Sequence, residues 1–300
     1  MKQYGYQLVN VFAETHFGGN PLAVFPQADG LNQQQMQLIA RQFNLSETVF
    51  VQAATDQTTT NQTTANLSAF RKLKIFTPDY EMPFAGHPTI GAAFVLHKLL
   101  NLDDNYLLQT ESGLVEIQHN NFQHNDVITF ALKSSKQNGV QVEDAPLNTT
   151  ECAAILGLQQ SDIASRPTWV DTGVAQLLVQ LNSAQAVTNC QINTALFMQK
   201  ALSKSGLPQL YVWFEQHGTV KVRLFFAQNG AVLEDPGTGS AAANLGGWCI
   251  ANKRTPLNWN ITQGDELQRP NRLHLRVDEQ QTIYVGGKVI YVGQGEFFLP

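Results

Sequence analysis

Two helix-length segments of the chain lack a polar face, and this feature limits most strongly how the chain can fold. Thr89–Leu100 (TIGAAFVLHKLL) and Ser240–Ile250 (SAAANLGGWCI) are apolar or small nearly all round. A helix that is hydrophobic on every side must be buried on every side. The rest of the chain is rich in short β-branched and aromatic runs that end at Gly, Pro, Asn or Asp, which is typical of strands. We therefore expect each apolar helix to be enclosed by its own sheet.

The local pattern predicts the remaining elements. The strand-like runs are Tyr6–Phe12, Leu22–Phe25, Thr48–Val51, Leu73–Phe76, Val127–Leu132, Gln176–Leu181, Tyr211–Phe214 and Val220–Phe226. Further helices are predicted at Asn32–Phe43, with Asn32 as its cap, at Thr150–Leu156 and at Thr194–Ser203. Thr55–Asn66 is almost all Thr, Gln and Asn and is predicted to be a solvated loop.

The segments that lead into the two apolar helices resemble each other. His87-Pro88-Thr89-Ile90-Gly91-Ala92-Ala93 and Asp235-Pro236-Gly237-Thr238-Gly239-Ser240-Ala241 match at Pro, Gly and Ala when they are superposed with an offset of 148 residues, half the chain. A chain of 300 residues is about twice the usual domain length. We predict an α+β protein of two pseudo-symmetric domains, residues 1–125 and 126–300, each a mixed β-sheet wrapped around a central buried helix. Whether the last strands, near Lys288–Phe298, cross back to the first domain stays open.

Composition excludes several classes of function. The net charge is −5 without a Lys/Arg cluster, which argues against a nucleic-acid partner. No apolar run approaches the roughly 20 residues of a membrane span, and the start of the sequence has no secretory pattern. Three widely spaced cysteines (Cys152, Cys190 and Cys249) predict reduced thiols in a cytoplasmic protein rather than disulfides or a zinc site.

The usual motifs of cofactor, metal and nucleophile chemistry are missing from the sequence. Gly237-Thr238-Gly239-Ser240 is followed by no Lys, as a phosphate loop requires, and it is not a G-x-S-x-G elbow. The histidines form no H-E-x-x-H motif, and His119 and His124 lie in a polar stretch that is typical of a solvated turn. We therefore expect neither a metal nor a cofactor, and proton chemistry by imidazole and carboxylate groups remains.

The starts of the two apolar helices are candidate binding positions for an anion. The first N–H groups of a helix have no partner within the helix, and with the helix dipole they attract a carboxylate. Gly237 and Gly239 would let a ligand approach the backbone closely. Two such starts facing each other across a domain cleft would hold a small acid. In the alternative interpretation, His87 and Asp235 are ordinary N-cap residues without a further role.

Glu47 is a candidate proton carrier because it lies at the junction of a helix and an apolar strand. Its neighbours Leu45, Val49 and Phe50 would desolvate the carboxyl group and raise its pKa toward neutrality. A strand-edge glutamate that points to water is the alternative. Glu81 and Glu234 flank the two helix starts, and periodicity does not rank them against Glu47.

Several motifs together resemble the phenazine-biosynthesis PhzF-like family, which has the diaminopimelate epimerase fold. The matching stretches span nearly the whole chain and are Val9-Asn10-Val11-Phe12, Gly19-Asn20-Pro21-Leu22-Ala23-Val24, Asn44-Leu45-Ser46-Glu47-Thr48, Phe76-Thr77-Pro78, Glu81-Met82-Pro83-Phe84-Ala85-Gly86-His87-Pro88-Thr89, Glu234-Asp235-Pro236-Gly237-Thr238-Gly239-Ser240-Ala241-Ala242 and Gly286-Gly287-Lys288-Val289. The chain departs from the usual family pattern at Asn10, at Pro236-Gly237 and at Gln268-Arg269-Pro270-Asn271, which leaves the substrate open.

The resemblance implies a cofactor-free isomerase that acts on a small amino- or hydroxy-substituted carboxylic acid in a cleft between two domains. It implies that Glu47 moves the proton and that His87 and Asp235 position and polarise the substrate. The residues implied to bind the substrate are Asn20, Gly86, Gly237, Thr238, Gly239 and Ser240, of which Ser240 and the N–H groups of Gly237 to Gly239 would hold the carboxylate. A homodimer is the assembly that the resemblance suggests.

Two other functions stay open at this point. One is a protein that keeps the fold and binds a small acid without catalysis. The other is an amino-acid epimerase or racemase. Epimerases of this fold use one catalytic cysteine in each half, whereas Ala85 and His87 occupy the first region here and Asp235 the second. Cys249 lies too far along its helix to replace them, so two-thiol chemistry is disfavoured.

Overall fold

A computed structural model describes residues 1–54, 70–102, 105–122, 125–132, 140–203, 206, 208–228 and 230–300. The predicted loop at Thr55–Asn66 and the position of His124 lie outside the described residues, whereas His119 lies in a strand, Gly113–Phe122, rather than in the predicted turn. The chain divides into two compact units. The first unit is Met1–Leu132 with Gly286–Pro300, and the second is Lys133–Val285.

Strands and a few helices alternate along both units. Those of the first unit are β1 (Lys2–Val11), β2 (Asn20–Phe25), α1 (Gln33–Phe43), β3 (Glu47–Ala53), β4 (Arg71–Phe76), β5 (Glu81–Met82), α2 (Gly86–Leu100), β6 (Asn105–Thr110), β7 (Gly113–Phe122) and β8 (Asn125–Leu132). Those of the second unit are β9 (Gln141–Asp144), α3 (Thr149–Leu156), β10 (Thr168–Asp171), β11 (Gln176–Gln180), α4 (Ala184–Asn189), α5 (Thr194–Lys200), β12 (Gln209–Gln216), β13 (Thr219–Gln228), β14 (Ala231–Asp235), α6 (Gly239–Ala251), β15 (Leu257–Gln263) and β16 (Asn271–Val277). The last strand, β17 (Ile283–Leu299), begins in the second unit, and from Gly286 onward it belongs to the first unit, where it pairs with β1.

The two units repeat one pattern of strand pairing. In the first unit β1–β2 is antiparallel, β2–β3 parallel, β3–β4 and β4–β5 antiparallel, β4–β6 parallel and β6–β7 antiparallel. In the second unit β10–β11, β11–β12, β12–β13, β13–β14, β13–β15 and β15–β16 repeat that series in the same order. The apolar helix follows the fifth strand of each series. The prediction of a duplicated α+β unit is confirmed.

The register of the duplication differs from the one that the sequence predicts. The two apolar helices begin at Gly86 and Gly239, so the equivalent positions are 153 residues apart rather than 148. At this offset Pro83 corresponds to Pro236, and His87 corresponds to Ser240 rather than to Asp235. Pro88 is then the third helical residue instead of the first, and Ala85 and Thr238 are the N-cap residues. The shared Pro and Gly spacing allowed the wrong superposition, because these residues are common before helices.

Each apolar helix is packed against the strands of its own unit, as its lack of a polar face requires. A Cβ atom at Gly91 of α2 would lie 2.4 Å from Leu22 Cδ2 of β2 and 2.9 Å from Val11 Cγ2 of β1. A Cβ atom at Gly246 of α6 would lie 3.0 Å from Ile283 Cγ2. At Gly91 a Cβ atom would force these neighbours to shift, and at Gly246 it would make an unusually tight contact, so both glycines let the helix lie close to the sheet. The prediction of two buried central helices is confirmed except for the last turn of α2, where Lys98, Leu99 and Leu100 are exposed.

The opposite face of the first unit's sheet is covered by α1. Leu22 faces α2, and Phe25, three residues along the same strand, faces the other way, because successive side chains of a strand alternate. Phe25 stacks on Phe50 of β3 with ring centroids 5.0 Å apart. Both belong to a core that includes Met36 and Ile39 of α1. In the second unit α3, α4 and α5 form a comparable core with β11 and β12.

We predict that Gly91→Ala lowers the stability of the protein, although alanine has the higher helix propensity by up to about 1 kcal/mol. The added methyl group overpacks α2 against β1 and β2, which typically costs about 1–3 kcal/mol. Thermal unfolding should show a melting temperature several degrees below that of the wild type. Gly5→Ala is the control, because a Cβ atom there meets nothing within 4 Å. An unchanged melting temperature for Gly91→Ala would contradict the close packing of α2.

Candidate active site residues in the two units

In the first unit the structure brings Glu47 and His87 into contact. Glu47 is the first residue of β3, opposite Leu22 of β2, and His87 is the second residue of α2. Glu47 Oε2 lies 3.4 Å from His87 Nε2, and the two side chains are 15% and 5% exposed. The strand start and the helix start therefore present a carboxylate and an imidazole to each other in a nearly buried position.

Asn20 contacts the other side of the imidazole ring. It is the first residue of β2 and is fully buried, and its Nδ2 atom lies 3.4 Å from His87 Nδ1. Which of the two ring nitrogens donates and which accepts depends on the tautomer of the ring. Gly86, the first residue of α2, directly precedes His87. Asn20, Glu47, Gly86 and His87 thus form one group, which we call the imidazole half-site.

Burial lowers the pKa of His87 from its usual value to about 3, and a backbone hydrogen bond with Pro21 opposes this shift. The imidazole is therefore neutral at physiological pH. Its contact with Glu47 is then not an ion pair, and the charge in this half-site belongs to the carboxyl group. Pro21 has no N–H group, so the ring donates its single proton to the backbone oxygen of Pro21, and Nε2 is left as a hydrogen-bond acceptor beside Glu47.

The two other candidate glutamates form ion pairs. Glu81 lies 2.8 Å from Lys74 Nζ and also accepts a hydrogen bond from Gln33. Glu234 accepts two hydrogen bonds from Arg223, of 2.9 and 2.7 Å. Both carboxylates are thus occupied by cationic side chains. Among the three, Glu47 contacts a neutral imidazole and is the best placed to exchange a proton.

The environment of Glu47 differs in one respect from the sequence-based expectation. Phe50 does not desolvate Glu47, because it lies three residues along β3 and packs on the opposite face with Phe25. Val49 shares the face of Glu47 and is buried. Tyr80 is an unpredicted neighbour: burial raises the pKa of its phenol, and the negative charges of Glu47 and Asp79 raise it further.

In the second unit Asp235 is held by Thr238 and Gln263. The hydroxyl group of Thr238 donates a short hydrogen bond to Asp235 Oδ2, and Gln263 Nε2 donates to the backbone oxygen of Asp235 at 2.8 Å. Gln263 Nε2 also donates to Thr238 Oγ1 at 2.9 Å. The carboxylate at the end of β14 is therefore fixed in orientation before the helix begins.

The N–H group of Thr238 donates to Gln263 Oε1 at 3.0 Å. The expectation that this N–H group holds a substrate carboxylate does not fit this geometry, because its hydrogen bond is already made inside the protein. The N–H groups of Gly239 and Ser240, at the first two positions of α6, have no partner within the helix, as at any helix start. They are the backbone donors that the start of α6 offers to an anion.

Gly237 lies against Asn271, which explains why this position has no side chain. A Cβ atom at Gly237 would lie 2.2 Å from Asn271 Oδ1. Asn271 is fully buried, and its Nδ2 atom donates to the backbone oxygen of Arg269 at 2.8 Å. The backbone between Asp235 and α6 therefore packs directly against the side-chain amide of Asn271, which is held by its hydrogen bond to Arg269.

Ser240, the second residue of α6, is half-buried and accepts a hydrogen bond of 3.3 Å from Gln176 Nε2 of β11. We call Asp235, Gly237, Thr238, Gly239 and Ser240 the carboxylate half-site, after the group that it is expected to bind. The structure brings together the predicted residues of each half-site within its own unit. That the two half-sites converge on one ligand stays a prediction.

Sequence reasoning missed Tyr80, Gln176 and Gln263. Gln176 and Gln263 are buried, yet glutamine is abundant along the whole chain, so neither stood out from the others. Gln263 is the last residue of β15. It reaches the start of α6 because β15 pairs with β13, so only the strand order would have identified it. No local pattern contains that information.

All three cysteines lie in the second unit, and burial raises the pKa of each thiol to about 12. One-thiol-per-unit racemisation is therefore not available to this chain. Within the described residues there is no group of three His, Cys, Asp or Glu side chains that could hold a metal ion. The helices of the described part of the chain include none that is long and apolar enough to cross a membrane.

The chain matches the family model of the phenazine biosynthesis-like proteins over residues 9–295. It belongs to this family. An uncharacterised isomerase of Pasteurella multocida is 61% identical over 297 residues, which cover 99% of this chain and 95% of the relative. The trans-2,3-dihydro-3-hydroxyanthranilate isomerase of Pseudomonas aeruginosa is 30% identical over 276 residues, 91% of this chain and 90% of that enzyme. The prediction of an isomerase of this family is confirmed.

Solved structures confirm the fold. A phenazine biosynthesis protein of the PhzF family from Bacillus anthracis superposes with a TM-score of 0.82 over the whole of both chains, at 22% sequence identity. At this identity the likeness concerns the fold alone. The epimerase-like α+β architecture that the sequence predicts is therefore the architecture of the family.

We predict that His87 makes the stability of the protein depend on pH. Because the pKa of His87 is lowered in the folded state, the unfolded chain binds a proton below about pH 6.5 that the folded chain does not bind. The stabilisation is complete above that pH and is lost on acidification, by up to about 1.4 kcal/mol per pH unit. Urea unfolding of the wild type and of His87→Asn, from pH 7.5 to 4.5, should show a difference in unfolding free energy that shrinks as the pH falls. A difference that stays constant would show that the ring is charged in the folded protein.

Proposed function

We propose that the protein is a cofactor-independent isomerase that moves a proton on a small amino- or hydroxy-substituted carboxylic acid, with Glu47 as the general acid/base. The observation that carries the proposal is the contact of 3.4 Å between Glu47 and the neutral, buried His87. Family membership supports the reaction class. The pairing of Glu81 and Glu234 with cations supports the choice of Glu47.

The proposed reaction needs one carboxyl group and a substrate whose conjugated system can delocalise the electron pair of the broken C–H bond. The Glu47 carboxylate removes a proton from a carbon atom, and the electron pair of that C–H bond moves into an adjacent conjugated system. The protonated Glu47 then returns the proton to a different carbon of the same system. Atoms and electrons balance without an oxidant or a reductant, so the step requires no cofactor. A general acid/base of this kind typically contributes about 10²–10⁴-fold in rate.

Neutral His87 orients Glu47 and the polar substituent of the substrate in this proposal. The ring donates its single proton to the backbone oxygen of Pro21, so Nε2 is an acceptor, which can take a hydrogen bond from the protonated Glu47 or from the substituent of the substrate. Because the ring does not take up a proton near neutral pH, it does not compete with Glu47 as the base. The Glu47 side chain is 15% exposed, so it is largely shielded from water in this position.

The carboxylate half-site holds the acid group of the substrate in this proposal. The N–H groups of Gly239 and Ser240 and the hydroxyl group of Ser240 are donors at the positive end of the α6 dipole. Asp235, fixed by Thr238, accepts a hydrogen bond from the amino or hydroxyl group of the substrate. Both half-sites act on one substrate molecule, which is then held by the start of α6 and deprotonated at the start of α2.

The first compound to assay is trans-2,3-dihydro-3-hydroxyanthranilate, the substrate in the name of the Pseudomonas aeruginosa relative. Its name describes a carboxylate, an amino group, a hydroxyl group and a partly unsaturated ring, which are the groups that the two half-sites can bind. An identity of 30% to that enzyme leaves room for a different acid of the same class.

The buried, unpaired cysteines support a cytoplasmic setting for this reaction.

A protein that binds a small acid without catalysis is the alternative. It would need the carboxylate half-site, and it would not need a carboxylate against a buried neutral imidazole. Burial of a carboxylate beside a neutral imidazole costs stability, since a buried charge loses its hydration, and binding of an acid does not require it. This favours the enzyme.

We predict that Glu47→Gln lowers turnover by about 100-fold or more, because the amide keeps the shape of the side chain and cannot carry the proton. Affinity for the substrate should change far less, since the carboxylate half-site is intact. Turnover is measured by the change in absorbance of the conjugated ring, and affinity by calorimetry with the variant. Glu81→Gln is the matched control, and it should keep near-normal turnover. If Glu47→Gln turns over a confirmed substrate as the wild type does, another residue carries the proton.

A further inference from the structure

A chain of buried amide groups reaches Ser240 from the interior of the second unit. Gln176 is 1% exposed, and its Nε2 atom donates to Ser240 Oγ at 3.3 Å and to Gln209 Oε1 at 3.1 Å. Asn244, one helical turn after Ser240 on α6, is fully buried and donates from Nδ2 to Gln176 Oε1 at 2.8 Å. The hydroxyl group at the start of α6 is therefore connected to two side chains that a ligand does not reach.

The orientation of Gln176 is set by Asn244, whose own amide is fully used. Asn244 Oδ1 accepts from the backbone N–H and the hydroxyl group of Thr172, at 2.8 and 2.7 Å. Asn244 Nδ2 donates to the backbone oxygen of Val174, at 2.8 Å, and to Gln176 Oε1. Since the backbone N–H can only donate, Asn244 Oδ1 is the acceptor, and its Nδ2 must face Gln176. Gln176 then presents its carbonyl oxygen to Asn244 and its NH₂ group to Ser240 and Gln209.

This direction of the hydrogen bonds determines what Ser240 can offer to a ligand. An amide NH₂ group only donates, so Ser240 Oγ accepts from Gln176. A hydroxyl group has one proton, and that proton is then free to point away from the interior. We propose that Gln176 is a positioning residue that makes Ser240 a hydrogen-bond donor at the start of α6 and so selects a ligand with an acceptor, a carboxylate, at this position. The inference rests on the proposed function. It adds Gln176 as the residue that determines whether Ser240 donates or accepts a hydrogen bond in the carboxylate half-site.

The isosteric change Gln176→Glu tests this inference. When ionised, the introduced carboxylate accepts only, so Asn244 can still donate to one oxygen, and the other oxygen takes the proton of Ser240 and faces the amide group of Gln209. Ser240 then turns its lone pairs toward the substrate carboxylate, and a negative charge is added behind it. Since a hydrogen bond to a charged group is lost, KM should rise about 10-fold or more. The value of kcat should change by less than about 3-fold, because Glu47 lies in the other unit and its group is intact.

A second substitution separates orientation from charge. Gln176→Met keeps the length of the side chain and removes its three hydrogen bonds, with Ser240, Gln209 and Asn244, without adding charge, so KM should rise by a smaller factor. In the Ser240→Ala background, Gln176→Met should add nothing to KM, because the hydroxyl group through which Gln176 acts is gone. Gln185→Glu on the exposed face of α4 is the matched control for the charge and should leave KM and kcat unchanged.

The outcomes distinguish this inference from the proposed function. If the wild type converts the substrate, Ser240→Ala raises KM and both Gln176 variants keep the wild-type KM, Gln176 does not position Ser240 and the inference is overturned while the function stands. If kcat falls as KM rises, or if Gln176→Met adds its full effect in the Ser240→Ala background, the role of Gln176 is general support of the fold and the inference is also overturned. If the wild type binds the acid without turnover, the proposed reaction fails, and the same variants are compared by their dissociation constants for that acid, with the same expected ranking.

Discussion

Each unit buries an apolar helix inside its own sheet, and the position of the candidate active site follows from that burial. Most of α2 and α6 is buried against strands, and the exposed residues of α2 are Lys98, Leu99 and Leu100 at its end, so the polar residues at the helix starts lie in buried or half-buried positions. A helix start also has N–H groups without a partner inside the helix, which must find other acceptors. His87 and Ser240, the second residues of α2 and α6, occupy equivalent places in the two units. The duplication has thus placed an imidazole at one helix start and a hydroxyl donor at the other.

The physical chemistry of the two helix starts differs because of what surrounds them. At the start of α2, burial removes the positive charge from His87, and the carboxyl group of Glu47 lies 3.4 Å from the neutral ring. At the start of α6, side-chain amides from β11 and β15 make most of the contacts: Gln263 holds Asp235 and Thr238, and Gln176 holds Ser240. One start is therefore suited to proton transfer and the other to orientation of an anion.

The sequence predicted the buried helices well because an apolar segment without a polar face has few alternatives. It also identified Glu47 and His87 as candidates for proton chemistry, and the structure brings them into contact. It did not predict the correct offset of the duplication. Pro and Gly recur before both helices, so the superposition at 148 residues matched three residues although the helix starts are 153 residues apart. It could not predict that Phe50 faces away from Glu47 or that Gln176 and Gln263 hold Ser240 and Asp235. Those contacts depend on which strands lie side by side, and a local pattern does not contain strand order.

The central claim is that one substrate is held at the start of α6 and deprotonated at the start of α2. Calorimetry of the Glu47→Gln protein with the substrate tests it most directly, because binding is then observed without turnover. The account predicts one ligand per chain in this variant and binding that is weaker by about 10-fold or more when Ser240→Ala is added. Equal affinity in the two proteins, for a substrate whose turnover requires Glu47, would contradict it.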